Sequence, residues 1–353
     1  MIDTNFQAEN AFTEPNIARL KRHPKRLVFP EAEDARVVKV AARLGEERIS
    51  VPILLGDRAK IQALASVEGV SLDRVVVKEP EKASDFSLLC GYFEKMERYR
   101  RMNVPHPEEV LRKPHYYAAM MVQYGMADGI IGGNSCYPAA LFRALFHIIK
   151  PQPQCEVASS CMAVVDPAQP SFGQSGILFL ADCAIIPEPT PEQLAMIALE
   201  TGKVAEALLG RPPRIAMLSH STRGTAGTAS ALRVASATQI ARQKAHEAGL
   251  QMEIDGELQI DAAIVPAAAE GKGVSGLVPG HADVLVFPDL NSGNIASKFM
   301  LVTARPQMYG QLILGLTKPA AQVSRVASAE TIFGVSVAVG VEAIKYRELF
   351  GSR

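Results

Sequence analysis

Apolar residues in this chain fall in two arrangements: short unbroken runs, and longer stretches in which they recur every third or fourth position. Arg26-Leu-Val-Phe-Pro30 is such a run and reads as a buried strand, followed by the acid-rich Glu31–Asp34 that opens a helix over Arg36–Leu44. Val51–Gly56 predicts a second strand, Arg58–Ala65 a helix, and Val75–Val77 a third strand. A charged amphipathic helix is expected over Leu88–Met102, one helix over Pro107–Tyr124, and a strand over Ala127–Gly133 ending in a double-glycine turn. Residues 1–24 are polar and aperiodic and predict no element. Alternation of this kind favours a parallel sheet covered by helices.

Pro151-Gln-Pro-Gln154 interrupts the pattern. Strands are expected at Ser159–Val165 and Gly176–Phe179, and Thr190-Pro-Glu-Gln193 has the form of a capping box opening a helix to Leu209. Arg214–Leu218 and Val284–Phe287 are continuous apolar strands, each running into a polar loop of the sort that lines the ligand crevice of a doubly wound sheet. A last helix is expected from Ser328 onward. The fold class is therefore α/β, with one domain formed by residues 1–155 and 316–353 and a second by residues 156–315.

Composition narrows the possible functions. The 353 residues hold 37 Lys+Arg and 37 Asp+Glu, so no global field favours a polyanion, and a small ligand is expected rather than nucleic acid. The longest apolar stretches fall short of the roughly 20 residues that span a bilayer, so no membrane partner is expected. Met1–Glu14 carries acids and amides where a secretory leader has basic and then apolar residues, from which a cytoplasmic location follows as an expectation. Five cysteines, Cys90, Cys136, Cys155, Cys161 and Cys183, form an odd set without Cys-x-x-Cys spacing or a His-rich partner, so neither a disulfide framework nor a zinc site is indicated.

Candidate chemistry gathers in a few loops. Ser219–Thr228 follows a buried strand with hydroxyls, glycines and an arginine, and its amides and hydroxyls, Ser221 and Thr222 among them, suit an anion; a capped loop is the plainer reading. His220 lies in the same loop and suits a hydrogen bond within it better than a role as base. Asp255, Glu257 and Asp261, and likewise Asp289, Asn291 and Asn294, suit either a divalent cation or helix caps and turns. Asn294 joins Ser221 and Thr222 as a substrate-binding candidate. Arg143 is flanked by apolar residues, so it either meets an anionic partner or extends its head to solvent. Ser324-Arg325 and, beyond them, Glu330 complete the set.

Ala216-Met-Leu-Ser-His-Ser-Thr222, Ile254–Ala263, Val286–Ile295 and Gly315-Leu-Thr-Lys-Pro319 together resemble the phosphate acetyltransferase family, which includes phosphate butyryltransferase and the acyltransferase-like domain of some malic enzymes. The resemblance covers roughly residues 25–345 and is nearer the acetyl branch. It implies two α/β/α domains with mostly parallel sheets, a cleft between them, a homodimer through the second domain, and exchange of an acetyl group between coenzyme A and inorganic phosphate. Acetyl-CoA, CoA, phosphate and acetyl phosphate are then the ligands, with no separate cofactor and no metal. Ser324-Arg325 matches the family's Ser-Arg pair, Arg143 matches the arginine after the Gly-rich turn, and Arg98, with Arg100 as its neighbour, matches an arginine in a charged helix. Two departures stand out: Asn134-Ser-Cys-Tyr-Pro138 replaces a segment with His-Ser and an acid, and Thr331 falls where the family has an Asp general base, which makes the adjacent Glu330 the candidate base. Longer-chain acyl transfer and a non-catalytic acyl-CoA-sensing module are the alternatives.

Overall fold

The computed structural model describes residues 6, 8–96 and 106–350. They divide into two compact units, one running to Gln152 and resuming at Leu316, the other spanning Pro153–Gly315. Numbered in chain order, the first unit holds strands β1 (Lys25–Phe29), β2 (Ser50–Leu55), β3 (Val76–Lys78), β4 (Gly129–Gly132) and β11 (Ala320–Gln322), ordered β3-β2-β1-β4-β11. Every pair is parallel, with Lys25 opposite Ser50, Leu27 opposite Gly129, and Ala320 opposite Ile130. All the carboxyl ends therefore lie on one edge. Its helices are α1 (Thr13–Arg22), α2 (Ala35–Glu46), α3 (Arg58–Glu68), α4 (Phe86–Lys95), α5 (Pro107–Leu111), α6 (Pro114–Gln123), α7 (Pro138–Ile148) and α13 (Ala329–Phe350). Asp34 and Asp57 cap α2 and α3 by accepting first-turn amides. Helix α13 packs on α1, α2, β1 and β4, so near Gly129 that a β-carbon there would lie 2.5 Å from Val339.

The second unit holds β5 (Ser159–Val165), β6 (Ile177–Ala181), β7 (Arg214–Leu218), β8 (Glu253–Leu258), β9 (Val284–Val286) and β10 (Gln307–Leu314), ordered β10-β5-β6-β9-β7-β8. The pairs of β5 with β10 and β6 are antiparallel, and the rest are parallel. Helices α8 (Pro191–Leu209), α9 (Ala229–Glu247), α10 (Ile260–Ile264), α11 (Pro266–Gly271) and α12 (Leu290–Thr303) surround it. Thr190 caps α8 in a full capping box with Gln193, and Thr228 and Asp289 cap α9 and α12. Buried Asp283, at the foot of β9, accepts from both Arg211 and Arg214. Among the described residues no helix is long and apolar enough to cross a membrane.

Two expectations change, and a third falls partly outside the described residues. The stretch 1–24 contains α1, whose apolar stripe is only Phe12, Ile17 and Leu20 on a polar helix, too narrow to stand out in sequence. The expected single helix over Pro107–Tyr124 is two, because Pro114 lacks an amide and holds Lys113 extended at ψ 119°. Of the helix expected over Leu88–Met102 the structure describes Phe86–Lys95; Arg98 and Arg100 lie outside the described residues.

Candidate active site

In the first unit β1, β4 and β11 end side by side, and the loops leaving them carry the candidate chemistry. After β4, Gly133 has φ +96°, and a β-carbon there would lie 2.8 Å from the Val323 carbonyl oxygen, so only glycine lets this loop pass the end of β11. The two segments are joined where the Val323 amide donates to the Gly132 carbonyl at 2.8 Å. Ser324 and Arg325 follow directly on an exposed turn, in which Ser324 Oγ accepts from the Val326 amide at 3.4 Å. The Arg325 guanidinium lies 4.6 Å from the centre of the Tyr137 ring, which is itself 71% exposed.

Two residues after β1 organise these loops, and the sequence pattern gave them no such part. Arg36 grips Asp34 in a bidentate pair and also donates to the carbonyls of Arg325 (3.0 Å), Ala327 (2.6 Å) and Asn134 (3.1 Å). Asp34 is partly buried, which opposes its charge, yet Arg36 and Asn134 hold its carboxyl below the usual range. Glu31, with a side chain 5% exposed, accepts from the Gly133 amide (2.8 Å), the Cys136 amide (3.1 Å), the Ser135 amide and hydroxyl, and the Cys136 thiol (3.1 Å). His115 Nε2 lies 2.6 Å from the same carboxylate. Burial works against ionisation of Glu31, but this ring of donors holds its carboxyl far below the usual range. Burial and the neighbouring carboxylate push the Cys136 thiol up to about 12. The available signal for Glu31 and Arg36 was position: both follow the carboxyl end of a parallel strand, where ligands bind in open α/β sheets.

Arg143 stands exposed on α7; burial pushes the Tyr116 phenol up, which the charge of Arg143 partly opposes, and the Tyr116 hydroxyl bonds His147 Nδ1 at 2.9 Å. Glu330 is half-buried at the second position of α13. Ser328 Oγ accepts the Thr331 amide at 3.2 Å, so Ser328 caps α13 and Thr331 stands in its first turn.

In the second unit the Ser219–Thr228 loop is braced from within. Ser221 Oγ donates to Glu257 at 2.8 Å and accepts from the Ala226 amide, and Glu257 also accepts from the Gly224 amide at 2.7 Å. Thr222 Oγ1 bonds Gln259, and His220 Nε2 lies 3.2 Å from Thr228 Oγ1. Asp255 sits between Arg223 and Arg242, Asp261 pairs with Lys272, and Asp289 caps α12, so these acids serve pairing and capping. Asn294 donates to the Cys183 carbonyl at 3.1 Å from the first turns of α12. None of the five cysteines, all among the described residues, forms a disulfide.

Two α/β units, with exposed polar loops at the carboxyl ends of parallel strands, define the doubly wound class of small-ligand proteins. The family model described as Phosphate acetyl/butaryl transferase matches residues 11–339. The phosphate acetyltransferase of Acetivibrio thermocellus is 35% identical over 333 residues, 94% of this chain and 98% of that protein. That of Treponema pallidum is 35% identical over 87% of this chain and 91% of its own. Among solved structures, the EutD phosphotransacetylase from Staphylococcus aureus is 32% identical with a TM-score of 0.84, covering 95% of this chain and all of that one. A phosphotransacetylase from Streptococcus pyogenes gives 0.83 at 32% identity, over 94% of this chain and 98% of its own. The chain belongs to the phosphate acetyl/butyryl transferase family.

Proposed function

We propose that this chain is a phosphate acetyltransferase, catalysing acetyl-CoA + phosphate = acetyl phosphate + CoA. The observation that carries the reading is its near full-length match to phosphate acetyltransferases, with the Ser324-Arg325 pair displayed on a turn that Arg36 ties to the rest of the site. In the direction of acetyl-CoA synthesis the CoA thiol gives its proton to a base and the thiolate attacks the acetyl carbonyl carbon. A C–S bond forms, the C–O bond to phosphate breaks, and phosphate leaves, all within one ternary complex and without an acyl-enzyme.

Only a few per cent of a free thiol, with its pKa near ~8.5, is ionised at neutral pH, so a base is valuable. Glu330 takes that role. Arg143 binds phosphate, Arg325 neutralises charge developing on the carbonyl oxygen, and Ser324 hydrogen-bonds the thiol or that oxygen. Arg98 is a further substrate contact, and Ser221 and Thr222 from the loop they brace and Asn294 from α12 serve substrate binding. The reaction as written requires no redox cofactor and no metal. Equal numbers of acids and bases support a small-molecule rather than nucleic-acid ligand, and the work is placed in the cytoplasm. A homodimer is supported by Ile295, Phe299 and Val302, which form one exposed apolar stripe on α12 at 66%, 68% and 72% exposure.

Thiol release from acetyl-CoA in the presence of phosphate tests the assignment, with butyryl-CoA in parallel. The expected result is a higher kcat/KM for the acetyl donor. Preference for butyryl-CoA would place the chain in the longer-chain branch. No thiol release from either donor would favour the acyl-CoA-sensing reading that Thr331, standing where the family has an Asp, keeps open.

A further inference from the structure

Three segments remote in sequence converge behind the Ser324-Arg325 turn: Glu31 after β1, His115 in the first turn of α6, and Cys136 after β4. Imidazole Nε2 and thiol Sγ both address the same carboxylate oxygen, Glu31 Oε1, at 2.6 and 3.1 Å, and the three ligand atoms lie within 4.8 Å of one another. Oε1 also accepts from the Gly133 amide at 2.8 Å, a bond it keeps, and the imidazole and thiol aimed at the same oxygen mark the place a tetrahedral cation takes when it replaces their two protons. With Zn–S of about 2.3 Å and Zn–N and Zn–O of about 2.0 Å, tetrahedral ligand atoms lie about 3.3–3.6 Å apart, so the two contacts to Oε1 need to lengthen by less than about 1 Å while the imidazole and thiol, within 4.8 Å of each other, settle to that separation.

We propose that Glu31, His115 and Cys136 form a three-ligand zinc site. The mixed oxygen, nitrogen and sulfur set matches zinc rather than magnesium or calcium, which take oxygen ligands. On binding, Cys136 gives its thiol proton to solvent and His115 carries its ring proton on Nδ1, while Oε1 exchanges its bonds to both for a bond to the metal. Oε2 keeps its bonds to the Ser135 amide and hydroxyl and to the Cys136 amide, so the loop after β4 stays anchored. Three protein ligands leave the fourth position to water. The site adjoins the Ser324-Arg325 turn through Tyr137, which follows Cys136, but shares no residue with the proposed acyl-transfer groups, and it holds whether or not that activity is found.

Cobalt(II) titration of the full chain tests it, because a thiolate on tetrahedral cobalt gives a near-ultraviolet charge-transfer band beside intense visible bands. One equivalent is expected to develop both. Cys136→Ser should abolish the charge-transfer band, and His115→Gln should weaken zinc binding, measured against a chromophoric chelator, by more than the 10–100-fold that loss of an outer-shell partner costs. If Cys136→Ser fails to fold, His115→Gln decides by the same competition. A cobalt spectrum without the thiolate band, or zinc affinity unchanged in a folded variant, overturns the proposal and leaves Glu31 as a loop clamp only.

Discussion

A guanidinium has five N–H donors, and Arg36 gives its own to one carboxylate and three carbonyls, so the Ser324-Arg325 turn inherits its position from a residue almost three hundred positions earlier. What remains adjustable is the Arg325 side chain, resting against an exposed tyrosine. If Arg325 and Arg143 meet phosphate or developing charge, replacing either with Ala lowers kcat/KM by about 100-fold or more, the scale of losing one preorganised donor. Lys at either position recovers little, since the two-pronged fork is lost. Steady-state kinetics on folded variants check this, and wild-type values in both would make the arginines structural. For Glu330 the informative axis is pH. Glu330→Gln should depress kcat strongly at pH 7 and much less at pH 9, where more thiol ionises unaided. Equal activity of variant and wild type across that range removes Glu330 as the base.

At the scale of elements, α13 is buried around its whole circumference from Ile332 to Val341, with Ser336 the one hydroxyl in that stretch. Glu342 interrupts this surface half-buried, with Oε1 buried and unpartnered, and burial pushes its carboxyl up from 4.5 to about 8. The folded chain therefore holds a proton there that the unfolded chain has released, and stability is lost as pH rises from about 4.5 to about 8. Glu342→Met should melt several degrees above wild type at pH 8, about 1 kcal/mol being worth roughly 2–4 °C at this size, with the gap closing toward pH 5. Thermal melts across that range decide it, and a gap independent of pH refutes it.

Elements with strong local chemistry were legible in the sequence: the Thr190–Gln193 capping box, the apolar run Arg214–Leu218, and the Gly132-Gly133 turn all appear where the pattern put them. Strands β10 and β11 were not, because Gly310, Gln307 and Gln311 break the apolar signal of one and the other has three residues. Ser324, Arg325 and Arg143 stood out through resemblance, whereas Glu31 and His115 act through contacts 84 and 102–105 positions away, which periodicity along the chain does not encode.

For the whole molecule, the exposed stripe of Ile295, Phe299 and Val302 is the feature that a second copy would cover. Phe299→Glu places a charge in its middle and should convert a dimer to a monomer in sedimentation at micromolar concentration, with the fold unchanged by circular dichroism; a wild-type monomer there refutes the dimer itself. The return of the chain into its first unit at Leu316 bears on how the protein is made. A ribosome finishes the whole second unit before it releases β11 and α13, the strand and helix that close the first. Although domains generally mature from the N-terminus during synthesis, here the earlier-numbered unit is completed last. A chain stalled after Gly315 thus leaves β4 with a bare edge and the partners of α13 uncovered, a nascent form in need of shielding until its final residues emerge.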